Sequence, residues 1–532
     1  MMNRREFVYT ATSASAALII HMARAAAPSW TVYPFSLGVA SGEPEPTSIV
    51  LWTRLATHPT EINYGLTSEI VPVQWEISED ESMRKIVQRG ITHAEPAFAH
   101  SVHIEVQGLK PGSWYWYRFH AGSATSPIGR TRTAPPADAM PEKFNFCFVS
   151  CQKYENGYYT GFEHMSRESP DLIVHLGDYI YEKGVHAVDA LHLPDRLHPK
   201  DLCVNLDQYR LRYALYKTDP MLQKAHLVAP WIVTPDDHEV SNNYAGDIDE
   251  YGTPIPVFLK QRAAAYRAYY EHMPLRRSSL PQGASAQIYR ALHFGQLASF
   301  YVLDTRQFRS DQPCGDDVKP VCEGALSPQQ TMMGHIQEEW LFRNFSRSTS
   351  RWNVLAQQIL MAEVNRNPMG HPVLESMDKW DGYHAARNRL YRNIADCKLR
   401  NPVVISGDIH LNFANHLRPG LDEDKSAIGV EFAGTSITSG GNGCDVSDEA
   451  KRWLNYNPNV KFFNEQRGYV RCEITPKFWR SDYRVLDFID RHGGAISTRA
   501  SFVVEDGKPE LQRNSVAVSV TNDDHRPNHV SI

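Results

Sequence analysis

Four short apolar runs constrain this chain most, because each ends in a turn that carries metal-competent side chains. Phe146 to Ser150 leads into Cys151-Gln152, and Leu172 to Leu176 into Gly177-Asp178-Tyr179-Ile180-Tyr181-Glu182. Trp231 to Pro235 leads into Asp236-Asp237-His238-Glu239, and Val403 to Ser406 into Gly407-Asp408-Ile409-His410. Runs of this length and apolarity read as buried strands, and between them Lys260 to His272 and Ser327 to Phe345 have the spacing of amphipathic helices. Alternating β and α elements imply helices packed on a largely buried sheet, and ligands of such sheets bind beyond the carboxyl ends of the strands. Later strands at Gly429 to Phe432, Gly468 to Thr475 and Trp479 to Phe488 come without long helices between them, which suits a second sheet. Taken singly the donors are ordinary. A Gly-Asp turn can be a helix cap, a lone Cys151 a small buried hydrophobe, and His238 or His410 a packing histidine. Four strand ends that each bring such a donor point to a polynuclear metal site.

The segments before residue 144 differ in texture. Asn3-Arg4-Arg5-Glu6-Phe7-Val8, the charge-free run Tyr9 to Ile20 and the small-residue end Ala23 to Ala27 make a signal peptide over 1–27. Its paired arginines resemble a twin-arginine export signal, so the export machinery is an expected partner and the mature chain is expected to be periplasmic or secreted. No other run reaches the roughly 18 apolar residues of a membrane span, so no stable membrane anchor is expected. Short Val-, Ile- and aromatic-rich runs such as Ser48 to Thr53, Val71 to Ile77, Ser101 to Val106 and Trp114 to Phe119 predict a β-sandwich over 31–133, and the segment Gly108 to Tyr115 resembles the turn into the corner tyrosine of fibronectin-type modules, which implies a fibronectin-like β-sandwich. A proline-rich linker, 134–143, precedes a catalytic domain over 144–505 and a polar tail over 506–532. Apolar residues at 42% and charged residues at 22% match a folded chain, and a formal charge of −6 argues against a nucleic-acid scaffold. Eight cysteines among 532 residues are too few for a disulfide framework. Cys314 and Cys322 bracket a polar stretch and either clip it or stand as two thiols.

The blocks Gly177-Asp178, Asp237-His238-Glu239 and Gly407-Asp408-Ile409-His410 resemble those of the calcineurin-like metallophosphoesterases, with specific departures. Ser150-Cys151-Gln152 stands where the superfamily opens on Asp-x-His, Asp237 replaces an asparagine, Asp408 replaces a histidine, and Tyr181 follows Asp178 by one turn. With Asp304-Thr305-Arg306-Gln307-Phe308-Arg309 and Asn464-Glu465-Gln466-Arg467-Gly468-Tyr469, the pattern is similar to the PhoD family of alkaline phosphatases from about residue 33 to 490. The resemblance implies an α+β chain, in which the β-sandwich precedes a four-layer α/β/β/α catalytic domain.

Carried onto this sequence, the resemblance implies one metal held by Cys151, Asp178, Tyr181 and His410, with Asp178 bridging to a second held by Asp237 and Asp408. Asn242 would serve the second ion or a bound water. Ferric iron and calcium are the implied pair; zinc and manganese remain compatible with these ligand types. The implied chemistry is attack on phosphorus by a metal-activated hydroxide or oxide. His238 would act as general acid or stabilise the transition state, with Glu239 orienting it. Arg306 and Arg309 carry forks that match phosphoryl oxygens, or else are solvated surface charges. The implied activity is hydrolysis of small phosphate esters for phosphate acquisition, covering monoesters and diesters. A phosphodiesterase or phospholipase-D-like enzyme on the same centre is the nearest alternative. A metal-bearing surface-binding protein without turnover is the alternative of another class.

Overall fold

The computed structural model describes residues 29–184, 193–420 and 426–514. The stretch 1–27, expected to be an export signal, lies outside the described residues, as does the end of the expected tail from 515 onward. The architecture is α+β, a β-rich N-terminal part followed by a mixed α/β part.

Two large sheets make the frame. In the first, Phe144–Val149, Leu172–His175 and Trp231–Val233 run parallel, flanked on one side by the antiparallel strands Gly468–Ile474, Phe478–Leu486 and Ile496–Glu505. In the second, Ala298–Val302, Trp352–Ala356, Pro402–Ser406 and Gly429–Ala433 are parallel, with antiparallel strands at both sides. Every residue of these four strands is buried, which is why they read as continuous apolar runs rather than alternating ones.

Phe146, Phe148, Val174 and Ile232 of the first sheet meet Phe300, Val354, Ile405 and Phe432 of the second in one core. The opposite face of the first sheet, through Val149, Ile173 and Trp231, packs on the helices Thr160–Arg167, Leu206–Lys217, Pro220–Val228 and Ile255–His272. The opposite face of the second, through Tyr301, Leu355 and Val404, packs on Gly334–Arg347 and His384–Asp396. Each such side chain taken from water contributes about 1.5–3 kcal/mol, so this doubly covered frame can hold costly polar turns at its end.

The helix expected from Lys260 begins earlier, at Ile255, with Pro254 as its cap and Pro256 in the first turn, where a missing N–H costs no helical bond. The one expected from Ser327 begins only at Gly334, after a short helix Glu323–Leu326 and the loop that follows it. Cys314 and Cys322 are joined as a disulfide.

The N-terminal strands form two facing sheets around Val39, Leu51, Val73, Tyr117 and Phe119. One of them, however, is an extension of the first large sheet: Val39–Glu45 pairs in parallel with Trp231–Val233 through Gly42 and Trp231, and Ser48–Arg54 and Ser101–Gln107 follow outward. Module and catalytic part therefore share a continuous ten-stranded sheet.

Candidate metal centre

The donors collect where the parallel strands end. The turn after Phe144–Val149 is tied to the next, with Cys151 N–H donating to Gly177 O at 3.1 Å and Gln152 N–H to Asp178 O at 3.0 Å. Glycine is required in both Gly-Asp turns. A Cβ on Gly177, at φ +108°, would lie 2.3 Å from that of Asp236, and one on Gly407 would lie 2.3 Å from Ser150 Oγ. Cys151, Asp178, Asp408 and His410 adopt left-handed φ of 58°, 55°, 60° and 58°. Such conformations cost non-glycine residues on the order of 1–3 kcal/mol each, and their clustering here marks a site where placement of side chains outweighs local comfort.

Three overlapping groups bring their donor atoms within 4.8 Å of one another: Cys151, Asp178 and His410; Asp178, Asp237 and His238; Asp236, Asp237 and Asp408. Asp178 belongs to two of them. The Tyr181 hydroxyl lies 3.1 Å from Asp178 Oδ2 and 3.1 Å from His410 Nε2, which adds it to the first group. Asp178 Oδ1 and Asp236 Oδ2 are buried and accept no hydrogen bond, and Asp237 Oδ1 has only Arg306 Nη2 at 3.5 Å. Orphaned carboxylate oxygens at this density fit a cation.

Electrostatics give the same reading. Burial pushes the Cys151 thiol well above its ordinary range, and Asp178 and Asp408 add to the shift. Burial, with Asp178 and Cys151, does the same to the Tyr181 phenol, while burial and Asp237 push Asp178 up. Burial and Arg467 lower His410 to about 3. Without a cation the thiol and phenol stay protonated; a bound cation is what would ionise them as ligands. The sulfur, phenol and imidazole donors of the first group suit a transition metal, and the all-carboxylate third group suits a hard divalent ion.

His238 donates from Nδ1 to Glu182 Oε2 at 2.6 Å, leaving Nε2 for a ligand. Burial lowers its pKa, but Glu182, Asp237 and Asp178 outweigh burial and raise it to about 10. Glu239 does not orient this histidine, contrary to expectation. Its carboxylate accepts the N–H groups of Asp178 at 3.1 Å, Tyr179 at 2.5 Å and Asp236 at 2.8 Å, so it ties two turns together.

Arg306 and Arg309 also depart from expectation, since neither is at the surface and both are committed to acidic partners. Arg306, 1% exposed, reaches Asp236 Oδ1 at 2.5 Å, Asp378 Oδ1 at 2.9 Å and Asp408 Oδ1 at 3.2 Å. Arg309 holds Asp378 Oδ1 at 2.6 Å and the Asn243 carbonyl at 3.0 Å. Arg306 so bound cross-links three carboxylates and Arg309 anchors one of them, so neither fork is open to a phosphate. Asn242 is likewise set apart, its amide donating to Glu250 Oε2 at 2.5 Å; it is the Asn243 N–H that reaches Asp237 Oδ2, at 2.8 Å.

Over residues 146–483 the chain matches the PhoD-like phosphatase family, and over 21–135 the N-terminal domain of PhoD-like phosphatases. The chain belongs to the PhoD-like phosphatase family. Alkaline phosphatase D of Bacillus subtilis (strain 168) is 49% identical over 491 residues, covering 92% of this chain and 84% of that protein. A solved structure described as the structure of PhoD superposes with a TM-score of 0.90 at 48% identity, covering 93% of this chain and 95% of the other.

Within that family frame, two groups at the site had no signal in the spacing. Lys379 reaches Asp378 Oδ2 at 2.8 Å and rests against Asp408 Oδ2. Burial works upward on Asp378, but Arg306, Arg309 and Lys379 hold its carboxyl well below the usual range. Both stand on a loop between a short strand and a short helix, where neither period nor motif marks them. Glu182 closes the block that begins at Gly177, but its partnership with His238 depends on how two turns meet. Among the described residues, no helix is long and apolar enough to cross a membrane.

Proposed function

We propose that this chain is an exported, metal-dependent phosphate-ester hydrolase of the alkaline phosphatase D type, serving phosphate acquisition. The observation that carries the reading is the convergence of a thiol, a phenol, an imidazole and four aspartates at the ends of parallel strands, in a family of phosphatases. Cys151, Asp178, Tyr181 and His410 would hold ferric iron, and Asp237 and Asp408 calcium, with Asp178 shared. Asp236, whose Oδ2 accepts no hydrogen bond, would also be available to the second ion, whereas the Asn242 amide is committed to Glu250. The helices outside two facing sheets support a four-layer α/β/β/α domain.

When bound, such a pair supplies positive charge to the phosphoryl oxygens and lowers the pKa of water. The protein's own groups do the rest. Glu182 keeps His238 protonated and aimed through Nε2, so that it can give a proton to the leaving oxygen of the ester. Glu239 fixes the turns bearing Asp178 and Asp236, and Arg306 holds the carboxylates of Asp236, Asp378 and Asp408 in register. Burial of the cluster excludes competing water from these groups. Export through the twin-arginine route to the periplasm or medium rests on Arg4-Arg5 and the run that follows.

Elemental analysis of Cys151→Ala against the parent tests the ligand set: iron content and turnover are expected to fall together by at least tenfold, and retention of both would refute it. A nitrophenyl monoester, its bis-ester and a phospholipid, each assayed before and after chelation, test the substrate class. Preference for the diester or the lipid would favour the phosphodiesterase reading, and binding without turnover the surface-binding one.

A further inference from the structure

One buried polar assembly beside the centre has no part in that scheme. Arg467 is 6% exposed, and no carboxylate lies within ion-pair distance of it among the described residues. Its donors go to neutral oxygens instead: His410 O at 2.5 Å, Gly441 O at 2.8 Å, Ser436 Oγ at 3.1 Å, Thr435 Oγ1 at 3.3 Å and Gly440 O at 3.3 Å. A guanidinium buried without an anion is expensive, and such groups persist where the geometry they impose is used. Here the geometry is that of the loop 435–441. Ser436 Oγ donates to Ser439 O at 2.7 Å, and Ile437 N–H to Ser150 O at 3.1 Å, which sets the loop against the turn of Cys151. The loop then presents Ser439 Oγ at 2.6 Å from the Tyr181 hydroxyl oxygen and 3.2 Å from Cys151 O.

We infer that Ser439 and Arg467 are positioning residues for the Tyr181 and His410 donors. Arg467 folds the loop and pins the His410 carbonyl, and through that loop Ser439 delivers a hydrogen bond to the Tyr181 phenol oxygen. Ser439 has one proton and two acceptors in reach. While Tyr181 is protonated, its own proton points to Asp178 Oδ2 at 3.1 Å. Once ionised as a ligand it can only accept, and a charged oxygen at 2.6 Å outcompetes a carbonyl at 3.2 Å. The bond lowers the energy of the phenolate lone pairs and fixes the direction of the ring oxygen, as partners of metal ligands do elsewhere. Arg467 supplies the nearby positive charge that a thiolate and a phenolate would need in so dry a place.

This inference rests on the ferric reading of the Cys151, Asp178, Tyr181 and His410 group, and the experiment separates the two. Holoenzyme exported by its native route is compared with Ser439→Ala, Arg467→Lys and Tyr181→Phe by visible absorption, iron content and kinetics on a nitrophenyl monoester. Removing the hydrogen bond raises the phenolate donor orbital, so Ser439→Ala is expected to keep its iron while the phenolate-to-iron band moves to longer wavelength. Its kcat falls at unchanged KM. Arg467→Lys cannot span the same acceptors, and is expected to move the band in the same sense with less iron per chain. Tyr181→Phe is expected to lose the phenolate band and keep only the absorption of the Cys151 thiolate on iron. A band unmoved in Ser439→Ala at full iron content overturns the inference while leaving the ligand set intact. A colourless parent overturns the ferric reading and this inference with it, and a spectrum unchanged in Tyr181→Phe removes Tyr181 as a ligand and overturns this inference while leaving iron on Cys151 and His410.

Discussion

At the scale of single residues, the centre is a balance between anions that want a cation and cations already built into the fold. His238 shows how that balance sets chemistry. Glu182 is the largest of the influences raising its pKa, so Glu182→Gln, which keeps shape and removes charge, must lower it. The imidazolium then loses its proton at lower pH, and the alkaline limb of kcat/KM against pH is expected to move down by about one unit or more. A profile that keeps its alkaline limb in Glu182→Gln would mean that His238 is not the acid. Legibility in the sequence follows the same logic. Cys151, Asp178, Asp237, Asp408 and His410 could be read because each closes a strand whose apolar run is itself visible. Ser439 and Lys379 could not, since their partners are set by long-range contacts, such as the bridge from Ser150 to Ser436, that no local pattern encodes. Arg306 and Arg309 stand out in the sequence but their partners do not, because a guanidinium fork fits carboxylates and phosphates alike.

At the scale of elements, the existence of strands and helices was legible and their ends were not. Periodicity reports burial, whereas boundaries follow caps and prolines, as Pro254 shows for the helix Ile255–His272. The loop clipped by Cys314 and Cys322 illustrates how a small element serves the site. Its strand Val318–Pro320 pairs with Leu374–Ser376, and Asp317 O accepts the Met377 N–H at 2.9 Å, immediately before Asp378 and Lys379. Asp316 Oδ2 accepts from Asn243 Nδ2 at 3.3 Å, on the turn that also serves Asp237. The disulfide therefore restrains the strand that pairs beside Asp378 and Lys379 and helps bring them to Arg306. The double variant Cys314→Ser, Cys322→Ser is expected to lose about 2–4 kcal/mol of stability to loop entropy. It is also expected to lose turnover, because Asp378 and Lys379 lose their registry. Urea unfolding and monoester hydrolysis read the two effects, and a variant that matches the parent in both would show that the strand pair holds its place without the bridge.

At the scale of the whole molecule, the feature least visible in the sequence is the fusion of the N-terminal module to the catalytic sheet. Nothing local announces that Gly42 pairs with Trp231. The seam is buried and polar at once: Trp52 Nε1 donates to Glu271 O at 3.0 Å, Arg54 Nη1 meets His272 Nε2 at 2.5 Å, and Arg290 pairs with Glu43. Lys217, at the end of the helix Leu206–Lys217, sits in that seam. Its ammonium lies 4.3 Å from the Trp52 ring centre and 5.2 Å from that of Tyr179, with His226 Nε2 at 3.5 Å. No carboxylate lies within ion-pair distance of it among the described residues. Burial lowers its pKa to about 7, from 10.5 when exposed. The facing histidines cannot share a charge with it, since burial holds His175 at about 3 and His226 well below its ordinary range. The unfolded chain therefore binds one proton more than the folded one between pH 7 and about 10.5, and in that window stability rises with pH. The slope is at most about 1.4 kcal/mol per pH unit, and it vanishes below the folded pKa, where both states are protonated and the cost of the buried charge is fully present. The joint between module and catalytic part is thus strengthened at alkaline pH. Lys217→Met keeps the stem and removes the titration, so the difference in unfolding free energy between variant and parent is expected to shrink steadily from pH 7 to pH 10. A difference that stays constant across denaturant titrations at these pH values would show that Lys217 keeps its proton in the fold.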